Sequence, residues 1–91
     1  MKRAVEIRIF GKVFNVGFRR YVHRYAIENN IAGYVENELV TGSVHIIAQG
    51  EDHDLDAFFA LCKHGTPYSV VERVEVAEVN LIDFVCFEQK R

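Results

Sequence analysis

Arg19 and Asn37 are the two side chains whose type and setting suit chemistry on a small anion. Arg19 follows the stretch Gly11-Lys12-Val13-Phe14-Asn15-Val16-Gly17-Phe18 and is followed in turn by Arg20. An alternating apolar pattern enters this stretch and a helical pattern leaves it, with two glycines and an asparagine in between, where the chain must turn. Such a turn points several backbone N–H groups at one place, beside the positive end of a helix. The guanidinium is planar and always charged, so it holds two oxygens of an oxyanion in a fork while the N–H groups hold others. Asn37 ends a neighbouring strand pattern, and its carboxamide both accepts from a water and donates to an oxygen. It therefore aims a nucleophile without fully removing its proton. A plainer reading stands alongside. Glycines between a strand and a helix serve simply to turn the chain, and arginines commonly lie solvated on a surface.

A fork-shaped cation, a ring of amides and a carboxamide supply position and charge stabilisation but no strong acid or base. That suffices for an activated phosphoryl compound whose leaving group departs unaided. A carboxylate qualifies, because its acid has a pKa of about 4–5. The other usual catalytic sets are missing. There is no C-x-x-C, no H-E-x-x-H and no G-x-x-x-x-G-K-[ST]. No cysteine precedes Arg19 in the loop, and the Gly11/Gly17 spacing does not fit a dinucleotide fingerprint. Cys62 and His64 form the only close Cys/His pair, and zinc there needs two further ligands from distant segments. Glu51, Asp52, Asp54 and Asp56 diverge around a helix axis, which suits capping and solubility rather than a metal. His23, His45 and His53 stand isolated and suit surface or packing roles, although His23 lies one turn past Arg19. No metal and no cofactor is expected.

The chain has 91 residues, enough for one domain over 1–91 with a single two-layer core. No apolar run approaches the ~20 residues that span a bilayer, and Met1-Lys2-Arg3 is not followed by a signal-peptide core. The expectation is a soluble, cytoplasmic protein with no membrane partner. Its two cysteines, Cys62 and Cys86, sit among apolar neighbours and are read as free, buried thiols. Charge is unevenly distributed: residues 1–24 carry a net +6 and residues 25–91 a net −8. A long polyanion meets repulsion from that acidic remainder, whereas a small anion needs only one local positive field. The sheet aromatics point the same way. Phe10 on the first strand, with His45, Ile47 and Gln49 on the third, makes a poor platform for stacking bases, so no nucleic-acid partner is expected.

These groups must be positioned by a small set of elements. Residues 4–10 alternate, with Val5, Ile7 and Ile9 on one face, and predict a half-buried strand. From 18 to 29 the period becomes helical, with Phe18, Val22, Tyr25 and Ala26 on one stripe and Tyr21 at its margin. Residues 31–37 and 43–49 read as an antiparallel hairpin joined by 38–42. In the second of these strands Val44, Ile46 and Ala48 form one face. A second helix is expected over 51–64, with Leu55, Phe58, Phe59 and Cys62 buried and its terminal charges matching the helix dipole. Residues 70–79 predict a long strand, 80–83 a turn, 84–88 a last strand and 89–91 a frayed or edge segment. Strand, helix, strand, strand, helix, strand implies an α+β fold, the ferredoxin-like split βαβ sandwich. Its mainly antiparallel sheet carries two helices on one face.

With these residues in view, the chain resembles the acylphosphatase family along nearly its whole length. The family's loop motif G-x-V-Q-G-V-G-F-R is similar to Gly11-Lys12-Val13-Phe14-Asn15-Val16-Gly17-Phe18-Arg19. Its second motif, G-W/Y-V-x-N and then G-S-V, is similar to Gly33-Tyr34-Val35-Glu36-Asn37 and Gly42-Ser43-Val44. Ala48-Gln49-Gly50 and the Gly65-Thr66-Pro67 turn are further points of likeness. The resemblance implies that residues 14–18, that is Phe14, Asn15, Val16, Gly17 and Phe18, cradle the phosphate. It implies that Arg19 binds the phosphoryl group and Asn37 orients the attacking water. It also implies a small, monomeric, cytosolic enzyme that hydrolyses acyl phosphates without metal or phosphoenzyme, with inorganic phosphate as product or inhibitor. Three departures stand out. Phe14 and Asn15 replace the usual glutamine and glycine, the 37–42 connector is longer, and Glu36 stands where a base is frequent. Asn tolerates a left-handed backbone, so the nest is expected to survive. Phe14 motivates the alternative, a non-catalytic small-anion-binding or protein-interaction module on the same scaffold.

Overall fold

A computed structural model describes residues 1–90. The chain runs β1 (Lys2–Lys12), α1 (Phe18–Glu28), β2 (Ala32–Glu38), β3 (Ser43–Glu51), α2 (Asp52–His64), β4 (Val70–Val79) and β5 (Phe87–Gln89). The strands form one sheet in the order β4-β1-β3-β2-β5. β1 pairs antiparallel with both β3 and β4, and β2 pairs antiparallel with β3. Each helix crosses over between strands that are not neighbours, which is the ferredoxin-like α+β arrangement expected. β5 adds a parallel strand outside β2, so the sheet is mixed at that edge.

The two helices cover one sheet face because each has a single apolar stripe. Phe18, Val22 and Ala26 of α1 and Leu55, Phe58 and Cys62 of α2 are buried against Ile7, Ile9, Val35, Val44, Ile46 and Ala48 of the strands. α2 begins with Asp52 and Asp54 and ends with Lys63 and His64, so its charges complement its dipole. Tyr21 lies at the margin as expected, packing on the core while its hydroxyl donates to the Leu61 carbonyl at 2.8 Å. Burial pushes the Tyr21 phenol above its ordinary value.

Three expectations are corrected. The last strand is Phe87–Gln89, not 84–88, and of the frayed or edge alternatives for 89–91 the edge holds for 89–90, where the Lys90 N–H donates to the Val35 carbonyl at 2.8 Å; residue 91 lies outside the described residues. Second, residues 80–83 do not turn the chain straight into a neighbouring strand. They belong to a connector that carries it from one sheet edge to the other. Gln49 clamps this connector with two bonds to the Ile82 backbone, both 2.8 Å, and Phe84 meets the Tyr34 ring edge-on. That cover meets Gln49, while His45 on the same face of β3 is enclosed by Glu6, Glu36 and the Tyr34 ring; alternation alone leaves both open. Third, both cysteines are free, but only Cys62 is buried, and that burial raises its thiol pKa; Cys86 is exposed on the connector.

Phe58 is fully buried and meets Phe87 edge-on, so it links α2 to the late strand β5. Phe58→Ala is expected to cost about 3–5 kcal/mol of unfolding free energy, measured by equilibrium denaturation with an unchanged slope.

Candidate active site

The turn between β1 and α1 has a backbone that few residue types adopt. Asn15 (φ 60°) and Gly17 (φ 75°, ψ 18°) are both left-handed, separated by Val16. Left-handed residues within such a turn swing successive N–H groups towards one concavity. The first helical bond runs from the Tyr21 N–H to the Gly17 carbonyl at 3.0 Å, so the amides just before it have no partner within the helix. Among the described residues no side chain caps this end, and its first turn holds no acidic residue. The contrast with the acid-rich start of α2 is one of charge: α1 presents bare amides together with Arg19 and Arg20. Gly11 permits the turn's entry. A Cβ there meets the Val70 carbonyl oxygen at 2.0 Å, at the point where the β1–β4 register shifts.

Side chains from other elements brace the turn. The Thr66 hydroxyl donates to the Val16 carbonyl at 3.2 Å, and Ser69 in turn donates to Thr66 O at 2.9 Å. Arg19 is held from its far side, where Nη1 donates to the Lys90 carbonyl at 2.6 Å. One guanidinium nitrogen is thus tied to the backbone beyond β5, while the fork's other donors remain. Asn37 is the penultimate residue of β2, on the helix-facing side, and its Oδ1 is buried with no donor to it among the described residues. An unpartnered buried acceptor is costly unless something else satisfies it.

Two adjoining cavities meet these groups. One, of about 290 Å³, is lined by Asn15, Gly17, Phe18, Arg19, Arg20 and Asn37, among others. The other, of about 640 Å³, is lined by Arg19, Asn37, Leu39, Gln89 and Lys90. The structure therefore brings Asn15, Gly17, Phe18, Arg19 and Asn37 together. Phe14 and Val16 are placed differently: their side chains pack on the core and line neither cavity, leaving only their backbone on the turn. The bulk of Phe14 is thus absorbed by the core, and the feature that motivated a non-catalytic module loses its force. His23 stands near the Phe87 ring, 6.1 Å between centroids, and lines neither cavity. Glu36 turns to the opposite sheet face and hydrogen-bonds to His45, so its charge is not aimed into the cradle. Thr66, Gln89 and Lys90 were not singled out by residue chemistry. Their roles use backbone contacts and late strand pairing, which leave little pattern in a sequence.

His45 is not isolated. It is buried, with Nδ1 2.8 Å from Glu36 Oε2 and Nε2 2.8 Å from Glu6 Oε2. Arg8 completes the group, 3.1 Å from Glu6 and 2.9 Å from Glu38. His45, with Arg8 behind it, lowers the Glu6 pKa against the opposing effect of burial. Arg8 and the Thr41 hydroxyl hold the Glu38 carboxyl at about 2. Glu36, Glu38 and His45 also bring possible metal-ligating atoms within 4.8 Å of one another. Each is already engaged, so an ion entering there must first displace Arg8 from Glu38.

Sequence and fold comparisons agree. The acylphosphatase family model matches residues 5–88. The chain is 42% identical over 85 residues to an acylphosphatase of Archaeoglobus fulgidus, covering 93% of this chain and 94% of that one. It superposes on the crystal structure of acylphosphatase from Bacillus subtilis with a TM-score of 0.92 at 33% identity, covering 100% of both chains. An acylphosphatase from Coxiella burnetii gives a TM-score of 0.92 at 27% identity, over 98% of this chain and 93% of that one. Matches of this extent define an α+β hydrolase of the ferredoxin-like class. The chain belongs to the acylphosphatase family, and its activity is the hydrolysis of acyl phosphates.

The depressed Glu38 value has a testable sign. Ionised Glu38 stabilises the fold above the ordinary carboxyl value of 4.5, and that contribution is lost as pH falls towards about 2. Wild type is therefore expected to exceed Glu38→Gln in stability near neutral pH, with the gap closing over that window in denaturant titrations.

Proposed function

We propose that Arg19 and the backbone of residues 14–18 hold the phosphoryl group of an acyl phosphate while Asn37 orients the attacking water. The observation that carries this reading is the shared cavity. The unpartnered Asn37 Oδ1 and the guanidinium of Arg19 line the same two spaces, beside a left-handed turn whose amides are uncapped. Water donates one hydrogen bond to Oδ1 and directs a lone pair at phosphorus. The Arg19 fork and the amides take up charge on the phosphoryl oxygens, and the P–O bond to the acyl group breaks as the new one forms. Carboxylate leaves without needing a proton, and the water's proton passes to the phosphate product. The tie from Arg19 to Lys90 O lowers the entropy lost in ordering the guanidinium for attack.

The same reading takes the chain as a cytoplasmic monomer that binds neither nucleic acid nor membrane. The exposed strand β4 supports it, since Glu72, Arg73, Glu75 and Glu78 place charges along the sheet's open edge. The connector pinned at Gln49 lies over the second sheet face, and its Phe84 already packs edge-on against Tyr34, where a stacking base would have to sit. No helix among the described residues is long and apolar enough to cross a membrane.

Acetyl phosphate hydrolysis with inorganic phosphate as competitor tests the assignment. Arg19→Ala is expected to lose about 10²-fold or more in kcat and to weaken phosphate inhibition in step. Asn37→Ala is expected to lose a similar factor in kcat while the phosphate Ki holds. Equal weakening of phosphate binding in both variants contradicts this division of roles.

A further inference from the structure

Glu36 and Glu38 are the two neighbours of Asn37 along β2, and strand alternation puts their side chains on the sheet face opposite the cavities. There they join a closed ring that spans three strands. Glu36 meets His45 of β3, His45 meets Glu6 of β1, Glu6 meets Arg8, and Arg8 returns to Glu38. Arg8, His45 and Glu36 are register partners, so the ring follows the shortest path across the sheet. It therefore grips β2 just before and just after Asn37. On its other side this part of β2 has little support. Pairing with β5 covers only Gly33, Tyr34 and Val35, and stops before Asn37. Residues 36–38 are held by the β3 ladder, by the ring, and at Glu38 also by the Thr41 hydroxyl and the Gly42 N–H.

We propose that His45 is a positioning residue: acting through Glu36, it fixes the segment of β2 from which Asn37 reaches the attacking water. This rests on the assignment of Asn37 as the water-orienting group. His45 is suited to the part because it is only 5% exposed and both its ring nitrogens are engaged, while the Tyr34 ring packs edge-on against it. A carboxamide that must aim a water tolerates little displacement, and a shift of about 1 Å in a positioning group costs up to 10²-fold in rate. The turn that forms the phosphate cradle lies on a different segment, tied at the Val16 carbonyl to Thr66, and the ring's own bonds run among Glu6, Arg8, Glu36, Glu38 and His45 rather than to the turn. Loss of the brace thus affects turnover and spares anion binding.

The test compares His45→Leu, Glu36→Met and Glu36→Gln with wild type, using kcat for acetyl phosphate, the phosphate Ki and circular dichroism at the assay temperature. Arg3→Met is the control. It removes ion pairs to Asp52 and Glu78 near the opposite end of β1 and lines neither cavity. Folded His45→Leu and Glu36→Met are expected to lose about tenfold in kcat, with Ki within about twofold of wild type. Glu36→Gln, whose carboxamide can accept from or donate to the ring nitrogen according to its tautomer, is expected to recover most of the loss. Arg3→Met is expected to keep kcat even where its Tm falls. If His45→Leu does not fold, the half-buried Glu36 pair carries the test. Wild-type kcat in Glu36→Met overturns the proposal, as does a parallel loss of phosphate binding or a Glu36→Gln variant as impaired as Glu36→Met. Asn37→Ala separates the two levels. Full turnover in that variant removes the water-orienting assignment and the proposal together, whereas loss there with none in Glu36→Met overturns the positioning role alone.

Discussion

The site is built around one backbone constraint: two residues with positive φ, one apart, at the entrance of a helix. Asn15 and Gly17 direct the turn so that the amides before α1 are not consumed by the chain itself. Everything near the cavities is arranged about that turn. Gly11 lets β1 approach β4 closely enough for the chain to leave the sheet, and Thr66 ties the turn to the segment after α2. Arg19 enters α1 immediately afterwards and is steadied by the Lys90 carbonyl. Without an anion, uncapped amides beside two arginines are an unfavourable way to begin a helix, because dipole and side-chain charge have the same sign. With one, the same features become attractive.

The sheet serves this turn from two sides. Its helix-facing surface carries the core and, near the end of β2, the unpartnered acceptor of Asn37. Its far surface carries the ion-pair ring and the connector that leads to β5. β5 is only three residues long, yet it delivers Phe87 to the core and Lys90 to Arg19. A short strand at the end of the chain thus joins the stability of the fold to the geometry of its cation.

Much of this could be read from residue pattern. Periodicity located both helices to within a residue or so, because each has one clean apolar stripe and α2 also has charges matched to its dipole. The Gly11–Arg19 stretch and Gly33–Asn37 are fairly specific in order and spacing, and the fold brings them to one place. What escaped was non-local. β3 looks half-exposed by alternation, but a connector more than thirty residues away in sequence meets its second face at Gln49. His45 looks solitary because its partners lie on two other strands, and only the register joins them. Cys86 has apolar neighbours in sequence but lies on the outside of the connector, where those neighbours do not surround it.

The claim on which the rest turns is that one tetrahedral anion is gripped by the main chain of this turn together with Arg19. Its most direct measurement is a titration of isotope-labelled protein with inorganic phosphate, following amide proton and nitrogen shifts. The account predicts saturable shifts concentrated at residues 15–19 and at the Asn37 side-chain amide, with one dissociation constant that matches the inhibition constant for hydrolysis. Shifts spread over the basic surface without saturation, or saturable shifts that bypass the turn, contradict it.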